Sequence, residues 1–382
     1  MKRFLSFFHI ILLFIFLFVY HNINLQAAET PSDLYAKAAI LMDGKNQRVL
    51  FGKEEQTELP MASTTKIMTC LFALEHGKLT DTVTFSQNAA SAPKVHLGAQ
   101  EGDQFLLSDL LYALMLESYN DVAIAIAEHI SGSVEGFCQA MTDEARAYGC
   151  YHTSFETPNG LDSENHYTTC YDLAILTCRA LQNKEFRTII HQNSCSIKEL
   201  KTGKSYSLNN KNAFLASYPG AIGVKTGYTS GAGYCFVGAV ETEDRLLISV
   251  VLGSGWYPNR TYKWKDTKKL MDYGMESFEN QTIEPGENIP DHLAVHRGQS
   301  KLCPITRPES VTLLLGKDET ASCKTDLPSS LSAPIKKGDS VGKVSLFIND
   351  TLYREYPIRA KDDVRAISFT WCYMKLLHKL LC

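Results

Sequence analysis

The sequence predicts an α+β fold: an antiparallel sheet with helices packed on it, then a small all-β domain and a C-terminal amphipathic helix. Three observations carry this. Strand patterns open and close the first 278 residues while helical patterns fill their middle, which one sheet built from both ends of the segment satisfies. From about Glu284 the texture changes to short apolar runs punctuated by Pro285-Gly286, Pro290, Pro304 and Pro308. Beyond Asp362 apolar side chains recur at helical spacing.

Taken in order, Met1-Lys2-Arg3, the apolar stretch Phe4 to Tyr20 and the small residues Ala27-Ala28 have the layout of a secretory signal peptide over 1–28. The same stretch also suits an uncleaved anchor, and both readings put the rest of the chain outside the cytoplasm. Ala38 to Met42 reads as a strand, Asp43-Gly44 as a turn and Gln47 to Phe51 as the hairpin partner. A helix is expected from Ser63 to His76, ended by Gly77. Ser108 is expected to cap a helix that stops near Glu117, and Asp121 to cap the next. Ser133 to Ala147 gives a further helix. Gly220–Val224, Gly233–Val240 and Leu246–Leu252 read as strands, and Tyr262–Ser277 as helix.

The catalytic segment is therefore expected over 29–278 and an all-β domain over 279–360. The tail, 361–382, puts Ile367, Phe369, Tyr373, Met374, Leu376, Leu377, Leu380 and Leu381 on one helical face. Arg365, Ser368, Lys375 and Lys379 fall on the other, a pattern suited to a membrane interface.

The chain has 382 residues, 45% apolar and 21% charged, ordinary for a globular protein. A net charge of -4 leaves no basic footprint and argues against nucleic acid as a partner. Eleven cysteines lack C-x-x-C pairs and zinc-ligand spacing, so buried thiols acting as small hydrophobes are expected, with no metal and no cofactor.

Three short motifs carry the chemistry. In Ser63-Thr64-Thr65-Lys66, residues three apart meet on a helix, so the lysine can take the proton that makes the serine a nucleophile. That requires the lysine to be held neutral by burial or a neighbouring cation. Ser118-Tyr119-Asn120 falls in a turn between helices, where polar groups can enter a cleft. Lys225-Thr226-Gly227 follows the apolar Ala221 to Val224, so its lysine supplies a cation at a strand edge that Gly227 keeps open to an extended peptide. A second copy, Lys201-Thr202-Gly203, has no apolar strand leading into it and reads as a turn. Each motif alone is weak. In this order they form the signature of serine enzymes that recognise penicillin.

Residues 36 to 278 resemble the low-molecular-mass D-alanyl-D-alanine carboxypeptidases, penicillin-binding proteins of the S11 serine peptidase family. The resemblance is carried by Ala62-Ser63-Thr64-Thr65-Lys66-Ile67-Met68-Thr69, Asn120-Asp121-Val122-Ala123, Asn159-Gly160-Leu161-Asp162 and Lys225-Thr226-Gly227-Tyr228-Thr229. It implies a β-lactamase/transpeptidase-like fold and cleavage of the terminal D-alanine from peptidoglycan stem pentapeptides through an acyl-enzyme that β-lactams trap. It further implies Ser63 as the acylated serine, Lys66 as its base, and Ser118 with Asn120 as the proton network. Lys225, Thr226, Gly227, Tyr228 and Arg260 would bind substrate, and the N–H groups of Ser63 and Tyr228 would form the oxyanion hole. Three positions depart from the family pattern: Tyr119 for a glycine, Thr142 for a frequent asparagine, and the loop Thr157-Pro158-Asn159-Gly160.

Two other readings are weighed. A β-lactamase needs a deacylating glutamate, and neither Glu156 nor Glu164 has the expected setting. A non-catalytic penicillin-binding scaffold of the cell wall is disfavoured by intact Ser63, Lys66, Ser118 and Lys225.

Overall fold

The computed structural model describes residues 30–93 and 95–381; the signal peptide expected over 1–28 lies outside them. The chain divides between Ser277 and Phe278 into two compact units.

In the first unit, strands β1 (Ala38–Asp43) and β2 (Arg48–Lys53) form a hairpin. Two short hairpins follow, β3 (Thr82–Thr84) with β4 (Gln104–Leu106) and β5 (Ser194–Lys198) with β6 (Ser205–Asn209). The late strands β7 (Ala221–Thr229), β8 (Gly233–Glu241) and β9 (Leu246–Leu252) join the first hairpin in one antiparallel sheet of order β2-β1-β9-β8-β7. Both ends of the segment thus build the sheet. Every residue of β1 and β9 is buried, so neither face of the central strands meets water.

The period-2 alternation of β1 identifies what covers each face. Helix α1 (Lys66–His76) begins the helical middle, which continues through α2 (Leu107–Tyr112), α3 (Asn120–Ser131), α4 (Val134–Ala147), α5 (Cys170–Ala180) and α6 (Lys184–His191). Met42 meets this side, its sulfur 3.7 Å from Cys178 Sγ on α5. Leu41 points the other way, to α7 (Tyr262–Ser277), where a Cβ added to Gly274 would fall 2.8 Å from Leu41 Cδ2. Each fully buried Leu, Ile or Val contributes about 1.5–3 kcal/mol, so the six such residues of β9 alone add substantially to the stability of the sheet.

Two expected caps differ. The residue before α2 is Leu106, which makes no side-chain cap, and Ser108 lies inside the helix. Likewise α3 starts at Asn120, so Asp121 sits in its first turn. There its carboxylate accepts from Leu97 N (2.9 Å) and Gly98 N (3.0 Å), tying down a loop instead of capping. Ser133 does cap α4, accepting from Gly136 N at 3.0 Å.

The second unit is all-β until its last helix. It comprises β10 (Phe278–Ile283), β11 (His292–His296), β12 (Leu302–Pro304), β13 (Val311–Gly316), β14 (Ala321–Asp326), β15 (Ser330–Ser332), β16 (Ser340–Ile348) and β17 (Thr351–Arg359). These form small sheets over separate apolar clusters, such as Leu313, Leu315, Leu346 and Ile348. The segment after β17 stays attached: Ala360 and Ala366 form bridges, and Val364 packs with Cys303 and Ile335. Helix α8 (Phe369–Leu381) therefore begins later than the wheel assumed, leaving Arg365, Ile367 and Ser368 ahead of it. None of its residues is buried. No helix among the described residues is long and apolar enough to cross a membrane. The ten described cysteines carry no disulfide, and seven of them are buried.

Candidate active site

Ser63 and Lys66 lie where a 3₁₀ turn, Ala62–Thr65, runs into α1. A 3₁₀ turn stacks residues three apart, and Lys66 Nζ stands 3.1 Å from Ser63 Oγ. The turn starts from a strained residue, since Ala62 has φ +48°. Thr65 Oγ1 donates to Ala62 O at 2.8 Å and helps hold it there.

Lys66 is fully buried and has two further partners, Asn120 Oδ1 at 3.0 Å and the Asn159 carbonyl at 2.5 Å. Burial holds its ammonium well below the ordinary lysine value, the charge of Lys225 adds to that, and Asp121 opposes it. A neutral lysine has two N–H donors and one lone pair. Asn120 Oδ1 and Asn159 O can only accept, so they consume both donors and leave the lone pair for the Ser63 hydroxyl. The Asn120 amide is oriented by Nδ2 donating to Pro93 O at 3.3 Å.

Ser118 ends the π-helical stretch Ala113–Glu117 in a left-handed conformation, φ +67°. That bend turns the chain between α2 and α3. Its hydroxyl is buried with no hydrogen-bond partner among the described residues, an arrangement that costs about 1–3 kcal/mol unless a ligand supplies one. Tyr119, the departure beside it, is half-buried against the apolar core.

Strand β7 is the sheet edge, and Lys225 lies on it, buried, with Nζ donating to Thr226 O at 3.2 Å. Burial brings Lys225 down to about 7. Thr226 is half-buried. Gly227 is where the strand meets the Ser63 turn: a Cβ there would lie 3.0 Å from Ser63 N and 3.1 Å from Ala62 Cβ. Tyr228 is partly exposed, its ring 4.4 Å from that of Tyr234. The structure thus brings Ser63, Lys66, Asn120 and the edge of β7 together.

Arg260 is exposed in the turn before α7, and its charge reaches Tyr234, whose ring packs on Tyr228. Its carbonyl accepts from Lys263 Nζ at 3.1 Å. Lys263, not foreseen, is buried with its ammonium 4.5 Å above the Tyr234 ring, and burial lowers it to about 8. The second tripeptide, Lys201-Thr202-Gly203, occupies the exposed β5–β6 turn, Gly203 with φ +73°.

Sequence reasoning also missed two contributions. The Asn159 carbonyl also stands 3.3 Å from Ser63 Oγ, an alternative acceptor for the one hydroxyl proton that the Lys66 lone pair would otherwise take. Its loop is an Asx turn, with Leu161 N donating to Asn159 Oδ1 at 3.0 Å. Gly160 presses on the Ser63 turn so closely that a Cβ would stand 2.0 Å from Ala62 O. His166 is the other, buried and bonded to Thr65 Oγ1 at 2.8 Å. The Thr142 departure keeps a link of its own: its hydroxyl donates to Cys138 O and accepts from Phe155 N, both at 3.0 Å. Glu156 faces solvent, bonded to Ser163 and to Asn165 N at 3.0 Å.

Comparison with known proteins places most of the chain among relatives. The family model for D-alanyl-D-alanine carboxypeptidase matches residues 24–255, and that for the penicillin-binding protein 5 C-terminal domain matches 278–366. D-alanyl-D-alanine carboxypeptidase DacF of Bacillus subtilis is 31% identical over 342 residues, covering 87% of each chain. DacC of Escherichia coli is 30% identical over 363 residues, covering 90% of this chain and 88% of that one. Among solved structures, penicillin binding protein 5 from Haemophilus influenzae superposes with a TM-score of 0.76 at 28% identity, over 88% of this chain and 99% of that one. A Streptomyces K15 DD-transpeptidase variant gives 0.60 at 30% identity, over 64% and 99%.

Proposed function

The chain belongs to the D-alanyl-D-alanine carboxypeptidase family of penicillin-binding serine peptidases, and from that premise we propose that Ser63 is its nucleophile and Lys66 the base that activates it. The observation that carries this is the Lys66 environment: buried, depressed in basicity, with two obligate acceptors and Ser63 Oγ at 3.1 Å.

The protein is a serine-type D-Ala-D-Ala carboxypeptidase, and the roles proposed for its residues give a path for that reaction. Lys66 takes the Ser63 proton as Oγ attacks the penultimate D-alanine carbonyl. The N–H groups of Ser63 and Tyr228 receive the developing oxyanion charge. Ser118, whose buried hydroxyl has no other partner among the described residues, takes that proton from Lys66 as it passes its own to the departing D-alanine amine, so both residues end as they began. Lys225 attracts the substrate's terminal carboxylate, and Gly227 lets the peptide lie along the edge of β7. Water then hydrolyses the acyl-enzyme. A β-lactam carbonyl enters the same path and stops at the acyl stage. Glu156, turned to solvent and already bonded, offers no β-lactamase-type deacylating base.

A location outside the cytoplasm, with peptidoglycan stem peptides as substrate, fits this chemistry. Helix α8 would hold the enzyme at a membrane surface: Phe369, Leu380 and Leu381 are 88%, 75% and 82% exposed on a helix that also carries Lys375 and Lys379. The reading is tested by D-alanine release from a pentapeptide ending in D-Ala-D-Ala. Wild type should release it and Ser63→Ala should not; equal release by both would overturn the assignment.

A further inference from the structure

We propose that His166 is a positioning residue that locks the Asn159 carbonyl against Lys66 and Ser63 and so sets the geometry of proton transfer between them. The inference rests on the reading of Ser63 and Lys66 just given.

The site is assembled from two backbone segments that do not belong to one element, the Ala62–Thr65 turn and the Thr157–Leu161 loop. His166 touches both. Its Nδ1 faces two backbone donors, Glu156 N at 3.1 Å and Thr157 N at 3.4 Å, where the loop begins. Nδ1 must therefore accept, and the ring proton resides on Nε2. From there it donates to Thr65 Oγ1 at 2.8 Å, which donates onward to Ala62 O. The ring is buried and burial brings it down to about 4, so this neutral tautomer persists through neutral pH.

The consequence falls on Asn159. Thr157 Oγ1 accepts from Gly160 N at 3.2 Å and donates to Leu161 O at 3.1 Å, so fixing the start of the loop fixes its crest. At the crest the Asn159 carbonyl takes a Lys66 donor. If that oxygen drifts, a Lys66 donor is released and the lone pair no longer points at Ser63 Oγ. A buried histidine that only filled space would not bridge these two segments by three directional bonds.

The test is the rate of acylation by benzylpenicillin per active site, measured on the full chain with the active fraction titrated separately. His166→Ala should slow acylation about 10- to 100-fold, the scale of a misplaced catalytic group, with noncovalent affinity changed less than about twofold. His166→Gln, whose amide both donates and accepts, should recover most of the rate. Thr65→Val breaks the same bridge from its other end while keeping the packing, and should also slow acylation if His166→Ala does not fold. Wild-type per-site rates in the folded His166 and Thr65 variants, with only the active fraction reduced, would overturn the inference. Absence of any acylation in wild type would overturn the parent reading and this one with it.

Discussion

The tripeptide Lys-Thr-Gly occurs twice in this chain, and its two settings share almost nothing. Lys225 is buried on the edge strand of a sheet whose central strands never meet water. Lys201 is exposed in a hairpin turn, its Nζ donating to Gly102 O at 2.5 Å. Gly227 allows the strand to approach the Ser63 turn, whereas Gly203 supplies a left-handed φ with nothing near it. The turn copy is organised by Glu199, whose carboxylate accepts from Lys201 N at 3.0 Å, Gln104 N at 2.9 Å and Thr202. The same three residues carry a buried cation on a sheet edge in one place and form a surface bend in the other. What differs is whether an apolar strand delivers them to the Ser63 turn.

The comparison can be broken at four points. Lys225→Ala removes the buried cation and should lower kcat/KM for a D-Ala-D-Ala peptide about 100-fold or more, whereas Lys201→Ala should stay within about twofold. Gly227→Ala forces a methyl within 3.0 Å of Ser63 N and should slow acylation about tenfold or more. Gly203→Ala should leave acylation unchanged and cost about 1 kcal/mol in thermal unfolding, because only its φ is at stake.

The third point is pH. On the proposed role Lys225 binds substrate as a cation, and burial holds it near 7, so kcat/KM should fall as pH rises past its deprotonation. Lys225→Arg keeps its charge and should abolish that alkaline limb, while Lys201→Arg should not alter it. The smallest effect is at Glu199, held down to about 2 chiefly by backbone donors from Thr202 and Gln104. Its depressed value stabilises the fold above the ordinary carboxylate range, and that stabilisation is lost as pH falls through about 2. Glu199→Gln should lower the Tm slightly at neutral pH and leave the reaction untouched.

Much of this was legible in the chain because the signals were side-chain types in periodic settings. The strand Leu246–Leu252 and the helix Tyr262–Ser277 were read to the residue, since uninterrupted apolar runs and helical spacing leave little choice. The Ser63–Lys66 pair and the buried Lys225 were visible because the proposed chemistry needs those side-chain types at those spacings. The Asn159 contact with Lys66 was not, because it is made by a backbone carbonyl that every residue possesses; only the Pro158-Asn159-Gly160 turn hinted at it. His166 and Lys263 were hidden for a different reason: a single histidine or lysine has no spacing pattern, and only the fold shows what it bridges. Asp121 was misread as a cap because Asp before an apolar run is a frequent cap, whereas here two loop amides claim its carboxylate.

The central claim is that Ser63 becomes acylated, and mass spectrometry after incubation with benzylpenicillin tests it most directly. The account predicts one penicilloyl adduct on the peptide containing Ser63, absent in Ser63→Ala and retained in Lys201→Ala. An adduct on another residue, or none on folded wild-type protein, would contradict it.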